Sequence, residues 1–167
     1  MMLEIAIDSD AEWDSSGAWT ELARAAAEAA IAESAFPQLS RSDRTVELSL
    51  RLTGDEEVRG LNSAWRVKDQ PTNVLSFPMA DADELKGPDT GPGLMLGDIV
   101  LARGVCAVEA QAKAIPLEDH AAHLIVHGTL HLLGYDHHED EAAADMEARE
   151  VRALARLGIA DPYEARS

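Results

Sequence analysis

The chain has 167 residues, enough for one domain with its own core and no need of disulfide staples. With 46% apolar and 27% charged residues it has the composition of a folded globular protein, not a disordered one. Fourteen Lys and Arg stand against 31 Asp and Glu, a net charge of -17, which argues against generic binding to DNA, RNA or anionic membrane.

In chain order, Leu3, Ile5 and Ile7 alternate with Glu4 and Ala6, predicting a short strand. Residues 16–34 are rich in Ala and Glu, carry Leu22, Ala26, Ala29 and Ile31 at helical spacing, and are closed by Pro37. Thr45 to Leu52 predicts the clearest strand, with Val46, Leu48, Leu50 and Leu52 on one face. Thr53 and Glu56 have the spacing of a capping box, and Val58, Leu61 and Trp65 extend the helical stripe behind them. Pro71 and Pro78 bracket 72–77 as an edge strand. The Gly- and Pro-rich stretch 87–93 is a loop, followed by a strand over 96–102. Helical patterns cover 105–114, 117–133 and 139–157, with Gly134 and Gly158 at the C-terminal ends of the last two. The expected fold is one α+β domain over 1–167, a small mixed β-sheet packed with helices.

No run of 18 apolar residues occurs and Met1 to Asp10 does not read as a signal peptide, so a cytoplasmic, unanchored protein is expected. Cys106, the single cysteine, reads as a small core residue. Trp13, Trp19 and Trp65 are too scattered for a base-stacking platform and are expected in the core.

Chemistry concentrates in one place. All six histidines (120, 123, 127, 131, 137 and 138) lie within 19 residues. His127 and His131 are four apart on a predicted helix and so share a face, a spacing at which two imidazoles bind one ion. Beyond Gly134 the chain can turn His137 back towards them, and three imidazoles with one open position make a catalytic zinc site. His138 is a possible substitute for His137. His123 lies on the ligand face but about two turns from His131, suited to a supporting, substrate or core role. His120 and His138 are expected to be exposed. The spacing from 127 to 137 also fits metzincin proteases, except that Gly128 stands where those enzymes carry the glutamate that works on water.

HGTLHLLGYDH at 127–137 closely resembles the signature of the YbeY family of bacterial metal-dependent endoribonucleases. LNSAWRVKDQPTNVLSFP at 61–78 and LGDIVLA at 96–102 resemble two further blocks of that family, and Met146, Glu147 and Glu150 fit its following helix. The resemblance covers most of residues 61–158. It implies a zincin-like fold with the metal site at the end of a central helix, and one Zn2+ per chain held by His127, His131 and His137. It implies single-strand-specific endoribonuclease activity in rRNA maturation, notably at the 16S rRNA 3′ end, and in ribosome quality control. Glycine at 128 is a feature of that family, and its invariant arginine falls on Arg66.

A guanidinium suits the phosphate contact expected of Arg66, since it grips a phosphate bidentately and offsets charge gained in the transition state. The segment 41–68 holds six basic and five acidic residues, the least repulsive stretch for RNA in an acidic chain. The expected partners are single-stranded RNA or pre-rRNA, small-subunit ribosomal proteins and a ribosome-associated GTPase, with no membrane or DNA. Two other readings fit the same residues: a metzincin-like metalloprotease lacking the usual glutamate, and a non-catalytic zinc-containing ribosome-assembly factor.

Overall fold

The structure is a computed structural model that describes residues 2–10, 13, 18–41, 44–66, 72–87, 93–136 and 138–163. Four strands, β1 (Met2–Ser9), β2 (Thr45–Thr53), β3 (Val74–Pro78) and β4 (Leu94–Ala102), form one sheet in the order β1-β2-β4-β3. β1, β2 and β4 run parallel, while β3 pairs antiparallel with β4 along one edge, so the sheet is mixed. The two prolines around 72–77 anticipated that edge. Pro78, unable to donate to a ladder, ends the strand opposite Gly97.

Alternation along β2 sorts the layers. Val46, Leu48, Leu50 and Leu52 are buried in the main core, whereas Thr45, Glu47, Ser49 and Arg51 are partly exposed on the opposite face. Helices α1 (Ala18–Ala32) and α5 (Leu117–Leu132) pack against each other in the same core. Five alanines of α1, Ala23, Ala26, Ala27, Ala29 and Ala30, are buried, and their small side chains let α5 and α6 (Asp140–Arg156) approach closely. α5 is buried on nearly every side, as expected of a helix enclosed by a sheet and by α1, α4 (Arg103–Lys113) and α6.

Helix α2 (Asp55–Arg66) builds a second, smaller cluster on the sheet, in which Val58 meets Leu75, Val100 and Ala102. The capping box expected from Thr53 and Glu56 does not form. Thr53 is the last residue of β2, and its hydroxyl donates to Asp10 instead, 2.7 Å away. Asp55 has its own long-range task, accepting from the Val105 amide in the first turn of α4, where Ala102 supplies no side-chain cap. Helix α3 (Ala82–Leu85) is a single turn with a complete capping box between Asp81 and Glu84.

Trp13 and Trp19 are core residues in edge-to-face contact at 5.1 Å, with the Trp13 indole donating to the Thr53 carbonyl. Trp65 corrects the expectation for the third indole. It is 72% exposed and stands edge-to-face with Phe77 at 6.4 Å between ring centroids. Beside it lies a groove of about 660 Å³ whose walls include Trp65, Phe77, Met79 and Asp98. Asp98 accepts from the Ser49 hydroxyl across the β2–β4 pair.

A histidine pair at the end of the central helix

Two separate devices bring His127 and His131 to one point. The first is the end of their own helix. Gly134 has φ 96°, a left-handed conformation that favours glycine, and closes α5 in a Schellman motif: its amide donates to the His131 carbonyl and the Tyr135 amide to the Leu130 carbonyl. The bend returns the Tyr135 carbonyl to the helix it has just left, where it accepts from His131 Nδ1 at 2.8 Å. A carbonyl can only accept, so His131 carries its proton on Nδ1 and turns the Nε2 lone pair outward.

The second device is α6. Met146, Glu150, Ala153 and Leu154 are buried on one face of it, an apolar stripe interrupted by a single acid. Glu150 is 1% exposed, and its Oε1 accepts from His127 Nδ1 at 2.9 Å and from His123 Nε2 at 3.0 Å. Its Oε2 accepts from the Tyr163 hydroxyl at 2.8 Å. Burial would raise this carboxyl's pKa, but the donors from His123 and His127 outweigh it and hold the pKa down to about 2. Glu150 is therefore an anion at neutral pH, and His127, like His131, is protonated on Nδ1.

The consequence is that the two Nε2 atoms face each other at 3.0 Å, with the rings crossing at 86°. Opposed lone pairs favour a positive charge between them. In a tetrahedral zinc site, Zn–N bonds of about 2.0–2.1 Å place neighbouring nitrogens about 3.3 Å apart, close to the separation here. Donor chemistry and geometry both fit a cation. Among the described residues no group of three His, Cys, Asp or Glu side chains converges as an ion-holding set. His137, the expected third donor, lies outside the described residues. Arg66 is the last residue of α2, and its side chain likewise lies outside them.

The remaining histidines separate clearly. His138 is exposed, as expected. His120 is not: it is 1% exposed, because α4 packs over that turn of α5, and its Nε2 donates to Glu109 at 2.8 Å. Burial, partly offset by Glu109, lowers the His120 pKa, so the ring is neutral. Glu109 also accepts from the Asn73 side chain at 3.1 Å. Asn73 in turn lines a cavity of about 160 Å³ beside the pair, together with Val74, His123, Leu124, His127 and Tyr163. His123 combines two of its expected roles, being both buried and a support for Glu150. In that position its Nδ1 has no hydrogen-bond partner among the described residues.

Gly128 shows why no glutamate follows His127. A Cβ at this position would lie 3.0 Å from Ile99 Cγ2 and 3.1 Å from the Ser76 hydroxyl. Position 128 thus faces β3 and β4, whereas His127 turns towards α6. A glutamate here would have to displace those side chains, so position 128 has no ready room for the residue a metzincin-type protease carries.

Glu150, Tyr135, Tyr163 and Glu109 were not assigned these tasks from the sequence. For Glu150 a signal existed: an acid at the i+4 position from Met146 and four before Leu154, on an otherwise apolar face. For the Tyr135 carbonyl, Tyr163 and Glu109 there was none, since their partners depend on the tertiary fold.

Sheet and helices together define an α+β protein whose central helix presents two oriented imidazoles to one point. A family model described as Endoribonuclease YbeY matches residues 9–158. A protein named Endoribonuclease YbeY from Rhizorhabdus wittichii is 49% identical over 164 residues, 97% of each chain. Its namesake from Sphingopyxis alaskensis is 50% identical over 165 residues, covering 97% of this chain and 98% of the relative. The chain belongs to the YbeY family. A solution structure from Thermotoga maritima shares the fold, with a TM-score of 0.54 at 21% identity over 98% of this chain and all of that one.

Proposed function

We propose that the chain is a zinc-dependent, single-strand-specific endoribonuclease that matures rRNA, notably the 16S rRNA 3′ end, and serves ribosome quality control. The observation that carries this reading is the opposed Nε2 pair of His127 and His131, fixed by Glu150 and the Tyr135 carbonyl, in a chain whose close relatives bear the endoribonuclease name. One Zn2+ is held by His127, His131 and His137. When bound, the ion supplies Lewis-acid chemistry and acidifies water for attack on a phosphodiester.

The chain's own residues do the rest. Glu150 and the Tyr135 carbonyl keep both imidazoles in the tautomer that presents a lone pair. Arg66 grips non-bridging phosphate oxygens and offsets the charge they gain as the P–O bond breaks.

With a net charge of -17, affinity for naked RNA is weak and steeply salt-dependent. Small-subunit ribosomal proteins and a ribosome-associated GTPase therefore deliver the enzyme to pre-rRNA in the cytoplasm. No helix among the described residues is long and apolar enough to cross a membrane.

The test is cleavage of single-stranded against duplex RNA by zinc-loaded protein, chelator-treated protein and zinc-loaded Arg66→Ala. Cutting of the single strand alone, abolished by chelation and reduced about 100-fold or more in the variant, is expected. Casein cleavage with RNA left intact, or full activity in Arg66→Ala, contradicts the reading. The product ends identify the nucleophile: a 2′,3′-cyclic phosphate means attack by the RNA's own 2′-hydroxyl, a hydrolytic end means attack by water.

A further inference from the structure

We propose that Glu150 is the positioning residue of the site: it fixes the His127 tautomer, and His123 and Tyr163 serve to keep the Glu150 carboxylate aimed at that ring. Each carboxylate oxygen has an assigned donor. Oε1 lies 2.9 Å from His127 Nδ1 and 3.0 Å from His123 Nε2, and Oε2 takes the Tyr163 hydroxyl at 2.8 Å. The three donors come from α5 and from the segment beyond α6, so the carboxylate cannot rotate without losing at least one of them. A buried anion held in this way is rigid.

Its effect on His127 is twofold. Accepting the Nδ1 proton leaves Nε2 as the lone-pair atom, and a negative charge behind the ring makes that lone pair a stronger donor towards a cation. The two imidazoles are thereby held by different means. His131 depends on a backbone carbonyl beside Gly134, which side-chain substitution cannot remove, while His127 depends on one carboxylate from another helix. Exchanging a partner's functional group without disturbing the backbone can therefore release only His127, and Glu150 is the residue to exchange.

The inference rests on the proposed role of His127 and His131 in holding zinc. The experiment pairs two readouts, one of which needs no metal. Long-range 1H–15N NMR on metal-free wild type reports the His127 tautomer, and chelator competition gives the zinc affinity of wild type and Glu150→Gln, which keeps side-chain size while removing the charge. Wild-type His127 should be the Nδ1–H tautomer, and Glu150→Gln should mix tautomers and bind zinc about 10–100-fold more weakly. A folded Glu150→Gln with zinc affinity within a factor of two of wild type and an unchanged tautomer overturns the proposal. If that variant does not fold, the wild-type tautomer decides, with Nε2–H at His127 overturning it. Absence of zinc binding by the wild type would sink the reading of the pair itself, while the metal-free tautomer would still test Glu150.

Discussion

The His131 Nδ1 proton is taken by the Tyr135 carbonyl, four residues later in the chain and beyond the end of the helix that carries the imidazole. A left-handed glycine makes this possible, because the Schellman bend at Gly134 reverses the chain within two residues. Replacing Gly134 with a β-branched residue strains that bend. Gly134→Val should lower stability by about 1–2 kcal/mol and weaken zinc binding, measured by thermal melting and chelator competition.

Gly128 is required for packing. Gly128→Leu forces atoms into Ile99 and Ser76 and should destabilise the fold by about 1–3 kcal/mol. Gly128→Glu, which restores the protease-like sequence, should destabilise to a similar degree and confer no casein hydrolysis. Denaturant melts and a casein assay check both.

Helix α6, which carries Glu150, is clamped to the end of α1. Arg149 donates to the Glu33 carbonyl at 2.7 Å, and Arg152 and Arg156 reach its carboxylate at 3.0 and 2.6 Å. The Arg156 hydrogen bond is the largest influence on this carboxyl and, with Arg152, lowers its pKa below the ordinary 4.5 against a smaller opposing effect of burial. A lowered folded-state pKa stabilises the fold above about pH 4.5, and that contribution is lost as pH falls through the folded value. The arginines are half-exposed, so Glu33→Ala should cost only about 0.5–1 kcal/mol at pH 7. The difference from wild type should shrink progressively in melts taken below pH 4.5.

Cys106 should be inert. It is fully buried, its thiol donates to the Asn73 carbonyl, and burial, followed by the charges of Glu109 and Asp55, pushes its pKa up to about 12 from 9.0. A folded-state pKa raised in this way contributes stability that is complete below pH 9 and lost as pH rises towards 12. Thiol-specific reagents should label Cys106 at neutral pH only once denaturant is added.

The sequence carried the secondary structure well wherever local signals were strong. The β2 alternation, the edge strand between two prolines, Gly134 and Gly158 as helix ends, and the His127–His131 spacing all depend on neighbours within a few residues. What it could not carry was which way a helix turns. His120 looked like a surface residue until α4 was placed over it, and Trp65 looked like core until α2 was placed and left it exposed. Thr53 lost its capping role to Asp10, 43 residues earlier. Glu150 was visible as an acid on an apolar stripe, but its partners depended on docking α6 beside α5, which Glu33 and three arginines secure from more than 100 residues apart.

The most direct measurement is metal analysis of purified wild type, His127→Ala and His131→Ala, with melting curves before and after chelation. About one zinc per chain is expected in wild type, with the melting temperature lowered on chelation because only the folded state binds the ion. Both variants should lose most of the zinc, and their melts should no longer respond to the chelator. Full zinc occupancy in either variant, or a wild-type melt indifferent to chelation, would contradict the account.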